Sequence, residues 1–174
     1  MDLMELLLKR RSVRNYTEET VSEQDLNRIL SAGLSSPSGR NRKPWELLVV
    51  RDRQLLEQLS HCRVGAARML ADADCAILVF ADREKTDVWT EDCSIVMSNM
   101  HLMASALGLG SCWIQGRNRE AENGNTTDVY CRELLSVPDG YVLEAILSVG
   151  VPAELPPAHT DADLDWTKVH REVF

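Results

Sequence analysis

The stretch that decides how this chain is interpreted is a basic run near the N-terminus. It reads Lys9-Arg10-Arg11-Ser12-Val13-Arg14-Asn15-Tyr16. Four cations fall within six residues, although the chain as a whole carries a formal net charge of -8. A charge run is most often a solvated surface. Here it follows an apolar helical segment, residues 3–8, and contains a hydroxyl group. Two interpretations are therefore open: a solvated surface, and a phosphate site bound by the forked N–H donors of arginine.

A second basic loop strengthens the case for a bound anion. It reads Ser35-Ser36-Pro37-Ser38-Gly39-Arg40-Asn41-Arg42-Lys43-Pro44-Trp45. Its two prolines and its glycine predict irregular backbone. The loop is either a plain connection or a binding loop, and its many hydrogen-bonding side chains favour binding at least as strongly.

Composition limits the classes of function. The 174 residues, 44% hydrophobic and 26% charged, fit one globular domain. An acidic chain lacks the wide basic face that DNA or RNA requires, so we expect no nucleic-acid partner. The charged N-terminus does not resemble a signal peptide. The longest apolar segment, residues 95–109, is too short and too polar to span a bilayer, so we expect no membrane partner.

Cysteine and histidine spacing argues against disulfides and metals. The five cysteines are Cys62, Cys75, Cys93, Cys112 and Cys131. Their number is odd and no pair has CxxC spacing, so we expect buried reduced thiols, no metal site and a cytoplasmic protein. The histidines are His61, His101, His159 and His170. They lack ligand spacing, and we interpret them as structural or surface residues.

Periodicity predicts helices mixed with strands. The predicted helices cover residues 2–10, 22–33, 53–60, 64–71, 91–109 and 130–135, and the predicted strands cover 45–50, 75–81, 111–114 and 141–151. Ser22 is expected to begin a helix that Gly33 ends. Strand 75–81 is apolar throughout, which predicts burial on both faces, and helix 91–109 should be the central buried helix. The pattern indicates an α+β or α/β domain without a dinucleotide fingerprint or P-loop.

Several motifs in order resemble the nitroreductase family of flavin enzymes. They are Arg10-Arg11-Ser12-Val13-Arg14, Ser36 through Trp45, Glu91-Asp92, Gly108-Leu109-Gly110-Ser111-Cys112-Trp113, Leu134-Leu135-Ser136-Val137-Pro138 and Gly150-Val151-Pro152-Ala153-Glu154. Each motif is weak alone, but their order and spacing are fairly specific. The resemblance covers almost the whole chain.

The resemblance implies an α+β fold and a dimer. The expected architecture is a three-layer sandwich, in which helices flank a central mixed or antiparallel sheet, assembled as an intertwined homodimer. Residues 1–174 would form a single FMN-binding domain, and residues 152–174 would be a tail reaching over the partner subunit. We expect an obligate dimer with an interface above about 2,000 Å².

The resemblance also implies where FMN would bind. Phosphate and ribityl contacts would come from Arg10, Arg11, Ser12 and Arg14. The isoalloxazine ring would meet Pro37, Ser38 and Asn41, with Lys43 near its pyrimidine edge. On the other side it would meet Ile114, Gln115 and Gly116, whose backbone N–H groups reach towards N5 and O4. No protein residue is expected to be catalytic, because the flavin carries the chemistry.

Two positions depart from the family pattern. Position 43 commonly carries Gln in this family, whereas this chain has Lys43. Many members supply an additional phosphate-binding cation near the C-terminus, whereas the matching residues 158–163 are acidic here. Phosphate binding would then depend on the first arginine cluster, and FMN affinity is expected to be lower.

The implied activity is electron transfer from NADH or NADPH to a small acceptor. A nitroaromatic or a quinone would be reduced in alternating, ping-pong steps. Two alternatives remain open at this point: a reductive dehalogenase-like variant of the same fold, and a flavin- or nucleotide-binding module without turnover. The physiological acceptor and the preferred nicotinamide do not follow from the sequence.

Overall fold

The computed structural model describes residues 2–174. In this range five α-helices and four strands alternate along the chain: α1 Leu3–Lys9, α2 Glu23–Leu34, β1 Trp45–Val50, α3 Arg53–Leu59, β2 Cys75–Asp82, α4 Trp89–Ala106, β3 Gly110–Gln115, α5 Thr127–Leu134 and β4 Tyr141–Gly150. The strands form one sheet in the order β1-β2-β4-β3. All three pairings are antiparallel, so the α+β prediction is confirmed and the sheet is antiparallel rather than mixed.

Helices cover both faces of the sheet, which gives three layers. On one face α2 and α4 pack against β2 through Ile29, Met97, Met100, Ile77 and Val79. The other face packs α3 and α5 against the alternate side chains of the strands. That second cluster includes Leu56, Leu59, Cys131, Leu78 and Ile146. Each fully buried side chain of this size contributes roughly 1.5–3 kcal/mol by leaving water. Because such side chains cover both faces of the sheet, the sheet is the centre of the hydrophobic core.

Helix α2 begins as the sequence predicts but ends for another reason. The Ser22 hydroxyl oxygen accepts the Asp25 N–H at 3.0 Å and donates to the Asp25 carboxylate at 2.8 Å. Gly33, predicted to end the helix, lies inside it and is buried. A Cβ at this position would meet Met100 Cγ at 2.8 Å, so the glycine allows α2 to approach α4.

One predicted helix does not form. Residues 64–71 contain only a single 3₁₀ turn, Arg68–Leu70. Gly65 has a left-handed φ of +68°, which no right-handed helix can include. The backbone instead turns outward, and the N–H of Val64 donates to the carbonyl oxygen of Glu120 at 2.9 Å.

Candidate functional site

The basic run lies beside the first residues of the edge strand β3. Ser12 forms an isolated parallel bridge with Ser111, and the Val13 N–H donates to the Ser111 carbonyl oxygen at 2.9 Å. In extended backbone alternate side chains share a side, which groups Arg10 with Ser12 and Arg14. Val13 points the other way and is buried. The buried valine therefore anchors a segment in which Arg10, Ser12 and Arg14 share one side.

Arg10 is oriented by a buried histidine. Its Nη1 lies 2.7 Å from His101 Nε2, and His101 Nδ1 lies 2.6 Å from Ser111 Oγ. Because a guanidinium can only donate, Nε2 accepts and the Nδ1 hydrogen goes to Ser111. Burial, and secondarily the charge of Arg10, lowers the pKa of His101 to about 4. The imidazole is therefore neutral at physiological pH and serves as an acceptor for Arg10.

Arg11 is not brought to this group. Its guanidinium donates to the carbonyl oxygen of Pro157, in the segment that follows β4. Arg14, in contrast, is exposed and has no carboxylate within 4.0 Å among residues 2–174. The predicted phosphate set thus divides, with Arg10, Ser12 and Arg14 on one side of the segment and Arg11 against the tail.

The loop between α2 and β1 carries the second predicted group. Arg40, Asn41 and Lys43 have left-handed φ values of 51°, 56° and 46°. Each such non-glycine residue costs about 1–3 kcal/mol and persists where surrounding contacts enforce it. Here Ser38 Oγ accepts the Lys43 N–H at 2.9 Å. Pro37, Asn41 and Lys43 are exposed, so the strained loop presents these side chains to solvent.

A buried carboxylate attaches this loop to helix α4. Asp92 is 3% exposed, and its Oδ1 accepts the Gly39 N–H at 2.8 Å. A Cβ on Gly39 would meet Val88 Cγ2 at 2.8 Å, so the glycine permits the close approach. Asp92 Oδ2 is buried without a hydrogen-bond partner in the described residues. The loop's position is therefore fixed by the first turn of α4.

The third group lies at the far end of β3. Ile114 and Gly116 are buried, and Gln115 is partly exposed. The N–H of Gly116 donates to the Glu144 carbonyl oxygen at 3.1 Å, whereas Ser111, four residues before Gln115, directs its carbonyl outward to Val13. Backbone groups alternate between the two sides of a strand, so Gln115 shares the outward direction of Ser111. Gln115 is thus the member of this group whose N–H faces the open edge.

The Gln115 side chain is held by a buried carboxyl group. Its Oε1 accepts from Trp113 Nε1 at 2.9 Å, and its Nε2 donates to Glu144 Oε1 at 3.3 Å. Glu144 is 2% exposed, and its Oε2 has no partner among the described residues. Burial raises the pKa of Glu144, opposed mainly by the hydrogen bond from Gln115. This network fixes the orientation of the strand end.

The edge strand connects the first and third groups. Ser111 and Gln115 are four residues apart, about 14 Å at 3.4 Å per residue. Between residues 2 and 174, no hydrogen bond joins the loop at 36–45 to residues 10–14. The arrangement suits an elongated ligand with an anionic end at the arginines and a hydrogen-bonding ring at Gln115.

The described residues offer few other chemistries. All five cysteines are buried and unpaired, as the sequence predicts. From residue 2 to the C-terminus, no three His, Cys, Asp or Glu side chains gather closely enough to hold a metal ion. Over the same range no helix combines the length and apolarity needed to cross a membrane. His101 and Glu144 contact the predicted site residues Arg10 and Gln115, and sequence reasoning missed both because neither belongs to a recognisable motif.

Comparison with known proteins decides the family. The family model described as Nitroreductase family matches residues 7–62 and 56–151. The chain belongs to the nitroreductase family. A Clostridium difficile structure described as an FMN-dependent nitroreductase is 45% identical, with a TM-score of 0.95 over 99% of this chain and 100% of that one.

More distant nitroreductase relatives agree over nearly the full length. An Archaeoglobus fulgidus protein named as an NADH dehydrogenase/NAD(P)H nitroreductase is 33% identical over 176 residues, covering 98% of both chains. A Desulfovibrio desulfuricans nitroreductase structure in complex with FMN is 27% identical, with a TM-score of 0.79 over 100% of this chain and 98% of that one. The predicted resemblance and three-layer fold are confirmed.

Proposed function

We propose that this nitroreductase-family protein is an FMN-dependent oxidoreductase. It would pass electrons from NADH or NADPH to a small acceptor such as a nitroaromatic or a quinone. The proposal rests on two features found at the two ends of the edge strand β3. Two arginines without carboxylate partners in the described chain lie at its beginning, and an outward backbone N–H lies at its end.

The residues present fit FMN. Arg10, Ser12 and Arg14 would hold the phosphate and the sugar chain, because charged donors and a hydroxyl bind phosphate oxygens well. His101 would keep Arg10 in place. The Gln115 N–H would donate to the ring, and the Glu144 network would hold that N–H in position. The strained loop would supply Pro37, Ser38 and Asn41 to the other side of the ring.

The chemistry that FMN supplies when bound is acceptance of a hydride and its delivery as electrons to a second substrate. The protein's contribution is orientation. Its buried network around Gln115 excludes water from one side of the site, since Glu144 and Ile114 are almost fully buried. We propose that both substrates use the same side of the site, so that reduction and oxidation would alternate there in ping-pong order.

A homodimer is part of this proposal. Helix α1 has no buried residue, and Leu3, Met4 and Leu7 are 65%, 44% and 44% exposed. Trp166 and Val169 of the tail are 69% and 52% exposed. Large apolar side chains left exposed in numbers on one helix and one tail favour an interaction surface. The tail at 152–174 would cover a second copy of the chain, and each FMN would touch both copies.

The test uses purified protein reconstituted with FMN. We expect anaerobic NADH or NADPH to bleach the flavin absorbance, and a quinone or nitroaromatic added afterwards to restore it. Parallel double-reciprocal plots would support alternating steps. A yellow protein that neither nicotinamide bleaches would contradict the enzymatic role, and a colourless protein that FMN cannot restore would contradict the cofactor.

A further inference from the structure

Two arginines outside the basic run, Arg63 and Arg119, line the same cavity. Arg63 follows α3, and Arg119 follows β3. The connections that carry them are joined by the bond from the Val64 N–H to the Glu120 carbonyl oxygen at 2.9 Å. The Arg119 carbonyl oxygen accepts the Thr127 N–H at 2.8 Å, which ties its connection to the start of α5. Backbone hydrogen bonds therefore fix the positions of the two loops that carry Arg63 and Arg119.

Neither arginine is neutralised within the described residues. From residue 2 onward, no carboxylate oxygen lies within 4.0 Å of the guanidinium of Arg63 or Arg119. Burial, and next the charge of Arg119, lowers the pKa of Arg63. Two like charges that line one cavity repel each other. An arrangement of this kind in an acidic protein is explained if an anion binds between them.

The thiol of Cys112 is influenced both by Arg63 and by the basic run. Burial raises the pKa of the Cys112 thiol, while Arg14, a hydrogen bond from Ser12, Arg63 and Arg10 oppose that rise. Cys112 is 2% exposed and follows Ser111, the bridge partner of the basic run. Arg63, Arg10 and Arg14 therefore all act in the same direction on the buried Cys112 thiol.

A cavity of about 290 Å³ opens between the two connections. It is lined by Arg63, Val64, Asn118, Arg119 and Glu120. Glu120 contributes a carboxylate to the rim, but it is exposed and forms no ion pair with either arginine. Arg119 already donates from Nη1 to the Asn118 carbonyl oxygen at 2.9 Å, which leaves its other donors for a ligand.

We propose that Arg63 and Arg119 bind a phosphate group of a nucleotide in the cavity that they line together. This inference rests on the proposed function for the identity of the nucleotide. The phosphate belongs either to FMN or to the nicotinamide dinucleotide. The site supplies the additional cation that the acidic C-terminal segment lacks, and it does so from the loop after α3.

The test titrates the FMN-free protein with FMN, riboflavin and pyrophosphate. Arg63→Ala and Arg119→Ala are compared with Arg68→Ala, a matched control whose exposed guanidinium lies 3.6 Å from Glu122. We expect Arg63→Ala to weaken pyrophosphate binding about tenfold, the scale of a charge-assisted hydrogen bond, with a smaller loss for Arg119→Ala and none for the control.

The nucleotides then identify the source of the phosphate. If Arg63→Ala weakens FMN but not riboflavin, the phosphate is that of the flavin. If FMN binding is unchanged while KM rises for the dinucleotide, the phosphate is that of the dinucleotide. Either result supports the site. Unchanged binding of FMN, pyrophosphate and the dinucleotide would overturn it. Failure of the wild-type protein to bind any flavin would instead overturn the proposed function, and pyrophosphate would still test Arg63.

Stability separates ligand binding from packing. Removing Arg63 relieves its repulsion with Arg119, so we expect the ligand-free variant to unfold at the same temperature as the wild type or higher. Added pyrophosphate should raise the Tm of the wild type and of Arg68→Ala more than that of Arg63→Ala. A ligand-free Arg63→Ala protein with a markedly lower Tm and an undiminished response to pyrophosphate would assign Arg63 to packing.

Discussion

Arg10 Nη1 lies 2.7 Å from Nε2 of His101, a contact that joins the basic run to the middle of the central helix. His101 is 6% exposed and also contacts Ser111 on the edge strand. The basic run, α4 and β3 therefore meet at the imidazole of His101. Arg10 keeps further N–H donors for an anion, because a guanidinium has five and this contact uses one. Its direction is fixed before any ligand arrives, which lowers the entropic cost of binding.

Replacing Arg10 should weaken FMN binding. We expect Arg10→Ala to lower the affinity of the FMN-free protein for FMN at least about tenfold, or roughly 1.4 kcal/mol, because one charged donor to phosphate is lost. Fluorescence titration measures this change. Arg28→Ala is the control, since Arg28 lies on α2 in an exposed 3.9 Å pair with Asp25. Equal affinity in the Arg10 variant and the wild type would remove Arg10 from the site.

His101 should make the ligand-free protein sensitive to acid. Its pKa is about 4 in the folded protein, mainly through burial, against an ordinary value of 6.5. The unfolded chain therefore binds a proton between pH 6.5 and 4 that the folded chain excludes, and stability falls as the pH is lowered through that window. Between pH 7 and pH 5 this amounts to about 2 kcal/mol from His101 alone.

The comparison that isolates this effect is His101→Gln. Glutamine keeps an acceptor for Arg10 but does not titrate. Urea unfolding at a fixed protein concentration should show a larger drop in the free energy of unfolding from pH 7 to pH 5 for the wild type than for the variant. The same drop in both proteins would mean that His101 does not carry the acid sensitivity.

Local patterns predicted most of the fold. The strand predicted at 75–81 is β2, Cys75–Asp82. A short continuous apolar run that ends at an aspartate is typical of a strand buried on both faces. Helix α2 begins after Ser22 as its capping pattern indicates. The prediction of a helix at 64–71 was wrong because the left-handed conformation of Gly65 interrupts it.

Non-local contacts explain what the sequence did not reveal. Gly33 is a glycine because Met100 lies against it, and Arg10 pairs with His101 across 91 residues. No local sequence pattern predicts the contact of Gly33 with Met100 or that of Arg10 with His101. The same holds for Arg63, which has no motif and shares a cavity with Arg119 only through the fold. The site residues assigned by family resemblance stay predictions until ligand binding is measured.

Lys43 should influence the ease of flavin reduction. Its N–H is fixed to Ser38 Oγ in a left-handed conformation, so the direction of the side chain is set by the loop. If the ammonium faces the pyrimidine edge, its charge favours the anionic reduced flavin. We expect Lys43→Gln to lower the reduction potential by about 20 mV, the size of an exposed charge pair in a two-electron couple.

Arg42→Gln is the matched control for Lys43. It removes one charge from the same exposed loop, at a residue in ordinary right-handed conformation. A spectroelectrochemical titration of both variants distinguishes an effect of the Lys43 ammonium on the flavin from the effect of removing any one charge from the loop. Equal shifts in the two variants, or no shift in Lys43→Gln, would place the Lys43 ammonium in solvent.

The start of the C-terminal tail is tied to the N-terminal segment of its own chain. The His159 N–H donates to the Leu8 carbonyl oxygen at 2.9 Å, and the Ala153 N–H donates to the Asn15 carbonyl oxygen at 3.0 Å. Beyond this point apolar side chains face outward, and Trp166 is 69% exposed. The tail is therefore directed by its own subunit, but its apolar side chains are not covered by it.

Removing residues 158–174 should weaken the dimer and release FMN together. Each FMN is proposed to touch both copies, so dimer formation and cofactor binding stabilise each other by mass action. Analytical ultracentrifugation and flavin absorbance, followed over the same dilution series, measure both. A full-length control with Trp166→Ser and Val169→Ser keeps the backbone bonds of residues 153 and 159 but loses the apolar contacts, and we expect an intermediate loss. A truncated protein that stays dimeric and fully yellow would show that residues 1–157 form the complete FMN-binding dimer.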